Sequence, residues 1–118
     1  MRQIMVNGKQ LTYYPKQKLV RINKQGNGIN YEKTKSAMRV LSPAAVEMYL
    51  YFCMIENQSI WVLSRQYIYD NTLLTKKTYT KAINELIEHK FLVPGGLVTD
   101  NKEAIRTNVY DFFEEPKM

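Results

Sequence analysis

The chain has 118 residues, a formal net charge of +6 and a sequence pI of about 9.4. A chain of this length buries roughly two-thirds of its unfolded surface in one domain without needing a disulfide staple, and its single cysteine excludes an internal disulfide. The longest apolar run, Met48–Ile55, is too short to span a bilayer, so we expect a cytoplasmic protein whose basic balance favours an anionic partner such as nucleic acid.

Residues 1–30 are predicted to form a basic β-hairpin arm. Asn7-Gly8 lies between two β-prone runs, and this dipeptide is the strongest short signal for a two-residue hairpin turn. Lys18–Asn23 alternates in polarity and predicts a third strand, and the glycine-containing stretch after it predicts a loop. Residues 1–59 hold nine Lys or Arg against three Glu, whereas residues 60–118 hold eight cations and eight anions, so the net charge lies in the front half.

Two helices are predicted between Tyr31 and Asn57. The first is short and covers Tyr31–Leu41. Ser42 is a favourable N-cap and Pro43 suits the first helical position, so a second helix begins there and ends near Asn57. The spacing of its apolar residues predicts a buried face made of Val46, Tyr49, Leu50 and Cys53.

A short strand and two further helices are predicted next. Ser59–Leu63 is rich in β-prone residues, and Ser64 is placed to cap the helix that follows it. Thr75 caps the last helix, which extends to about Lys90. The residues predicted to face inward are Tyr67 and Ile68 in the first of these helices and Tyr79, Ile83, Leu86 and Ile87 in the second.

Turn-forming residues dominate the C-terminal part. Pro94–Gly96 predicts a turn between two short strands, and Asp100–Ala104 predicts a polar loop tip. Arg106–Phe113 alternates in the way of a strand, and residues 114–118 are predicted to be a flexible tail.

The order of elements over Leu41–Phe113 resembles the winged helix-turn-helix family: helix, short strand, helix, turn, helix and hairpin. The densest part of the resemblance is LSRQYIYDNTLLTKKTYTKAINELIEHKFL. Through LSPAAVEMYLYF, KKTYTKAINELIEHKFL and TNVYDF the chain is also similar to the N-terminal domains of plasmid replication initiators and phage replisome organisers. The resemblance implies an α+β fold, with a winged helix-turn-helix over residues 31–113 and an N-terminal β-hairpin extension. Two residues depart from the family pattern: Tyr69 stands for a small residue and Leu73 for a connector glycine.

The function that the resemblance implies is sequence-specific binding of double-stranded DNA. The setting would be replication initiation or transcriptional control of a plasmid, phage or other mobile element, in the cytoplasm and at the nucleoid. The alternative is a winged-helix protein–protein interaction module that binds an acidic host or replication factor. The basic arm has two alternative roles, lying along the DNA backbone or pairing with a second copy to make a homodimer.

The helix after Thr75 carries the predicted reading surface. Its cations come first and Glu85 and Glu88 come late, which reverses the order that the helix dipole favours by about 0.3–1 kcal/mol per charge. A polyanion at the N-terminal end would offset this cost, because an α-helix fits the major groove and its first turns meet the base edges. The alternative interpretation is that these residues form only a solvent-exposed helix face. The predicted DNA-binding residues are Arg65, Thr75, Lys76, Lys77, Thr78, Thr80, Lys81, Asn84, Lys102 and Arg106.

Catalytic and metal-binding residues are not predicted. His89 is the only histidine and Cys53 the only cysteine, so a four-ligand zinc site would need several carboxylates. The nine tyrosines suggest a DNA-nicking nucleophile, but no cluster of histidines or acids accompanies them to hold the metal. The glycine-containing segments lack the lysine and spacing of a phosphate loop. We therefore expect a binding protein without a cofactor and not an enzyme.

Overall fold

The described part of the chain contains both helices and short strands, so the fold is mixed α and β. The computed structural model describes residues 2–6, 9–13, 18–23, 28–55, 60–63, 65–95, 98–100, 103–105 and 109–116. Within these residues the elements are, in chain order, β1 (Arg2–Val6), β2 (Lys9–Tyr13), β3 (Lys18–Asn23), α1 (Tyr31–Met38), α2 (Pro43–Cys53), β4 (Ile60–Leu63), α3 (Arg65–Asn71), α4 (Lys76–Glu88), β5 (Leu92–Pro94), β6 (Val98–Asp100), β7 (Glu103–Ile105) and β8 (Val109–Phe113). None of the helices described has the length and apolar character that crossing a membrane requires.

The N-terminal hairpin follows the sequence prediction. β1 and β2 pair antiparallel, and Val6 lies opposite Lys9, which is the register of a two-residue loop. Asn7 and Gly8 themselves lie outside the described residues.

A four-stranded sheet in the order β4-β3-β8-β5 forms one layer of the fold. β3 is parallel to β8 and antiparallel to β4, and β5 is antiparallel to β8. Leu19, Val20 and Ile22 of β3 have no exposed surface. β3 therefore belongs to the centre of the sheet, which corrects the predicted boundary that assigned all of residues 1–30 to an arm.

Helix α2 begins as predicted, and of its predicted buried face Tyr49 and Cys53 are buried whereas Val46 and Leu50 are not fully so. The Ser42 hydroxyl accepts a hydrogen bond from the backbone N–H of Ala45 at 3.5 Å, and Pro43 stands in the first turn. Val46 and Leu50 are only half-buried, and the helix ends at Cys53 with Met54 as its C-cap, before the predicted end at Asn57. Because α2 is apolar on almost every side, its spacing did not fix its orientation. Its buried residues are Ala45, Met48, Tyr49, Phe52 and Cys53.

The core between α2, α4 and the sheet is rich in aromatic rings. Tyr49 meets Phe91 and Phe112 edge to face, with ring centroids 5.5 Å and 5.6 Å apart, and Phe52 lies 5.2 Å from Phe112. Such pairs contribute about 0.5–1.5 kcal/mol beyond the area they bury. Burial of the Tyr49 phenol raises its pKa well above the usual value, so the ring stays neutral.

Residue 114 is packed and does not start a free tail. The Tyr49 hydroxyl donates a 2.8 Å hydrogen bond to the backbone oxygen of Glu114, whose residue is 3% exposed. Lys33 Nζ lies 3.8 Å from Glu114 Oε1. The predicted tail boundary at residue 114 is therefore too early, since the contacts that hold Glu114 come from α1 and α2, far away in sequence.

The segment between β5 and β8 contains a second hairpin. β6 and β7 pair antiparallel, with Val98 opposite Ile105, so β7 occupies part of the stretch predicted as a loop tip. At the start of this segment, the backbone N–H of Gly95 donates a 2.8 Å hydrogen bond to the backbone oxygen of Val109. Gly96, Lys102 and residues 106–108 lie outside the described residues, and the predicted roles of Lys102 and Arg106 fall there.

Candidate nucleic-acid interface

The start of α4 is fixed by a reciprocal pair of threonines. The backbone N–H of Thr75 donates to Thr78 Oγ1 at 2.8 Å, and the backbone N–H of Thr78 donates to Thr75 Oγ1 at 3.4 Å. This capping box satisfies donors that a helix N-terminus leaves without partners, and it confirms Thr75 as the N-cap. Both hydroxyls are engaged in the cap, so their first role is to hold the helix end in place.

Helix α4 has one apolar and one polar side, as its spacing predicts. Tyr79, Ile83 and Leu86 are buried, whereas Ile87 is half-buried and Ala82 joins the buried face. The side away from the core carries six exposed residues at helical spacing, the last of which is the acidic Glu88. The first five, here named the α4 polar face, are Lys76, Lys77, Thr80, Lys81 and Asn84.

The α4 polar face concentrates positive charge at one end of the helix. Its five residues span about 12 Å along the axis at 1.5 Å per residue, and all three cations lie within the first two turns. In the part of the chain that the structure describes, no carboxylate lies within ion-pair distance of Lys76, Lys77 or Lys81. Three positive charges are therefore presented to solvent without an ion pair among those residues, although Lys81 is close enough to Glu85 to lower the pKa of that carboxylate.

The acidic residues near the C-terminus lie elsewhere. Arg21 donates to Asp111 through Nε at 2.6 Å and through Nη2 at 3.2 Å, across the parallel β3–β8 pair. This hydrogen-bonded pairing raises the pKa of the Arg21 guanidinium. Glu114 lies beside Lys33. Asp111 and Glu114 thus offset cations of the front half of the chain and not those of α4.

Glu85 has a structural partner that sequence reasoning missed. Its carboxylate accepts hydrogen bonds from the backbone N–H and from the hydroxyl of Ser42, each at 2.6 Å. Burial raises the pKa of Glu85, but the two bonds from Ser42 outweigh it and, with smaller contributions from His89 and Lys81, hold the pKa below its usual value. The late position of Glu85 in α4 is therefore explained by its hydrogen bonds to Ser42 at the start of α2. For Glu85, the reversed order of charges along α4 is thus not a sign of DNA binding.

A shallow depression of about 730 Å³ extends along α4 from Lys77 to His89. Lys77 and Lys81 line one end, Glu85 and Glu88 line the other, and Ser42 lies on the facing wall. The charge along α4 is thus divided, with cations at the N-terminal half and carboxylates at the C-terminal half. A polyanion is favoured only at the N-terminal half.

No family model matches this chain, and none of the curated proteins or solved structures does so either. The α4 surface itself is therefore the basis for inferring a function.

Arg65 is brought to the same end of α4. Its guanidinium carbon lies 5.8 Å from the centre of the Tyr79 ring, which is the geometry of a cation–π contact. Tyr69 meets the same ring edge to face at 5.8 Å. The bulky Tyr69 is thus accommodated by packing on α4. Seven of the ten predicted site residues lie at or beside the first half of α4, and Asn84 follows in its second half. Lys102 and Arg106 lie outside the described residues.

One further residue at this end was noted in the sequence only as a departure from a family pattern. Leu73, in the connector before α4, is 90% exposed. Its exposure could not be read from sequence, because the neighbouring Leu74 is 5% exposed and has the same side chain.

The described residues also contain no group of three or more His, Cys, Asp or Glu side chains arranged to hold a metal ion.

Proposed function

We propose that this chain binds double-stranded DNA sequence-specifically, with α4 as the reading helix of a winged helix-turn-helix unit. The exposed α4 polar face, with three cations that form no ion pair among the described residues, is the observation that carries the proposal. The element order supports it: α2, β4, α3, α4 and then β5, the β6–β7 hairpin and β8. The hairpin β6–β7 takes the place of the wing.

The side chains of the α4 polar face suit the groups of a major groove. Lysine reaches phosphates and the O6 and N7 acceptors of guanine, and asparagine pairs with the N6 and N7 atoms of adenine. Asn84 lies two turns behind Lys77 on the same side of the helix, so a helix inserted by its N-terminal end places the cations and the amide along one groove. Thr80 lies between them, although its hydroxyl also donates to Lys76 O at 3.3 Å.

Replication initiation or transcriptional control of a mobile element is the setting we propose for this binding, by resemblance to plasmid and phage initiator domains. Both activities require that a site be found among many others, which is the task of a sequence-reading helix.

Selection from a random-sequence duplex pool, followed by salt titration, tests the proposal. The wild-type protein should enrich a sequence, and its binding should weaken with salt with a log–log slope of about −0.9 per neutralised phosphate. In the Lys76→Ala, Lys77→Ala, Lys81→Ala triple variant the slope should become shallower by up to about 2.7, if each lysine neutralises one phosphate.

A charge-matched comparison separates a local effect from a change in net charge. The Lys76→Ala, Lys77→Ala double variant loses the same charge as Lys35→Ala, Arg39→Ala, which alters exposed cations at α1. Only the α4 pair should change the slope markedly. Equal losses in both double variants, or no enrichment by the wild-type protein, would count against α4 as the reading helix. Saturable binding of an acidic protein without duplex binding would favour the interaction-module alternative.

A further inference from the structure

The connector between α3 and α4 is held by a continuous set of hydrogen bonds. The backbone N–H of Thr72 donates to Ile68 O at 2.9 Å, and that of Leu74 donates to Thr72 Oγ1 at 3.1 Å. The backbone N–H of Leu73 donates to Glu47 Oε1 of α2 at 2.7 Å. With the Thr75 N–H bound to Thr78, every backbone donor from residue 72 to residue 75 has a protein acceptor. The connector is therefore fixed in one conformation.

The two leucines in this connector have opposite environments. Leu74 is buried in the core at 5% exposure, whereas Leu73 projects its side chain into solvent at 90% exposure. Burying a leucine side chain stabilises a protein by about 1.5–3 kcal/mol, and Leu73 contributes none of this in the isolated chain. The fold thus presents an apolar side chain to solvent from a backbone segment whose N–H groups are all hydrogen-bonded.

Leu73 lies beside the proposed reading surface. Its Cα is within about 8 Å of the Thr75 Cα, since consecutive Cα atoms are 3.8 Å apart. A helix that enters the major groove by its N-terminal end therefore brings this leucine to the groove with Lys76 and Lys77. The thymine C5-methyl is the one apolar group among the base edges exposed in that groove.

We propose that Leu73 contacts a thymine methyl group in the bound DNA and so contributes to sequence selection. This assignment rests on the proposed DNA-binding function and names one base that the site selects. Because the connector is already ordered in the free chain, little conformational entropy is lost when the contact forms. The contact adds a large apolar side chain to a surface whose other residues are three lysines, an asparagine and Thr80, the last with a single methyl group.

Deoxyuridine substitution tests the contact directly. The probe is the duplex enriched from the random pool by the wild-type protein, compared with the same duplex in which deoxyuridine replaces every thymidine, which removes only the C5-methyl groups. Wild-type affinity should fall about fourfold for each methyl group that Leu73 covers, from the area-based value for one buried carbon. The Leu73→Ala variant should lose the part of the discrimination that Leu73 provides, so its thymidine-to-deoxyuridine affinity ratio should fall about fourfold relative to wild type for each methyl group covered, and Leu73→Met should restore the wild-type ratio.

Two controls make the outcomes decisive. Met38→Ala removes another exposed apolar side chain, at the end of α1, and should leave the thymidine-to-deoxyuridine ratio as in wild type. Circular dichroism should show unchanged folding of Leu73→Ala, because the side chain contacts little of the protein. A wild-type protein indifferent to deoxyuridine, or a Leu73→Ala variant that discriminates as strongly as wild type, would overturn the contact while leaving DNA binding intact. Failure of the wild-type protein to enrich any duplex would instead overturn both.

Discussion

Ser42 and Glu85 join the start of α2 to the middle of α4 through two hydrogen bonds of 2.6 Å each. The Glu85 carboxylate lies at the N-terminus of α2, where the positive end of the helix dipole favours an anion. The same carboxylate belongs to α4, so it ties that helix to the start of α2. This polar contact adds to the buried packing of Tyr79, Ile83 and Leu86, which holds α4 on the core.

Replacing Glu85 should destabilise the fold. Glu85→Ala leaves the Ser42 N–H and hydroxyl without their acceptor, and we expect the free energy of unfolding to fall by about 1–2 kcal/mol. This value is at the lower end for a charged acceptor because the site is partly open to solvent. Glu85→Gln keeps one acceptor oxygen and should lose less. Urea denaturation measures both variants. The control Glu88→Ala lies at an exposed position on the same helix, and its free energy of unfolding should stay within about 0.5 kcal/mol of wild type. If Glu88→Ala loses as much stability as Glu85→Ala, the bonds between Glu85 and Ser42 are not the cause of the loss.

The same contact predicts how stability depends on pH. The pKa of Glu85 is lower in the folded chain than in the unfolded one, so its contribution is fully present above the unfolded value of about 4.3. It is lost as the pH falls through the folded pKa, because protonation then removes the negative acceptor. Urea midpoints measured from pH 7 down to pH 3 should fall less steeply for Glu85→Gln than for wild type. Parallel pH profiles of the two proteins would show that Glu85 does not titrate in this way.

The threonine cap of α4 gives a prediction for stability. Thr75→Ala removes the acceptor for the Thr78 N–H and should cost about 1 kcal/mol, whereas Thr75→Ser keeps the hydroxyl and should cost little. The Thr75→Ala, Thr78→Ala double variant should lose less stability than the sum of the losses in the two single variants, because the two side chains form one reciprocal cap. Strict additivity in urea denaturation would contradict the capping box.

Local sequence signals were sufficient for the elements that depend on near neighbours. Asn7-Gly8 predicted the hairpin pairing of β1 with β2, and Thr75 predicted the start of α4. The helical spacing of the apolar residues after Thr75 also identified which side of α4 is exposed. Each of these features is decided by residues within a few positions, where backbone and capping preferences act directly.

Long-range contacts decided the features that the sequence did not reveal. Arg21 and Asp111 are 90 positions apart, so nothing local indicated that β3 pairs with β8 in the middle of the sheet. Glu85 and Ser42 are 43 positions apart, and an acid that caps a distant helix looks in sequence like an unfavourable charge on its own helix. The backbone N–H of Leu73 is likewise bound by Glu47 of α2, which is 26 positions away.

Gly95 provides a prediction that depends on the pairing of β3 with β8. A Cβ atom at this position would lie 2.9 Å from Asp111 Oδ2 and 3.2 Å from Val109 Cγ1, so the carboxylate that binds Arg21 would have to move. We expect Gly95→Ala to cost about 1–3 kcal/mol in urea denaturation, as overpacking does.

Combining Gly95→Ala with Asp111→Ala identifies the cause of that loss. The double variant removes the closest of the crowding atoms, so the added methyl group should cost less in the Asp111→Ala background than in wild type. The contact with Val109 remains and should keep a smaller residual cost. If the methyl group costs the same in both backgrounds, crowding against Asp111 is not the origin of the loss, and the close approach of Gly95 to the Arg21–Asp111 pair does not explain why glycine stands at this position.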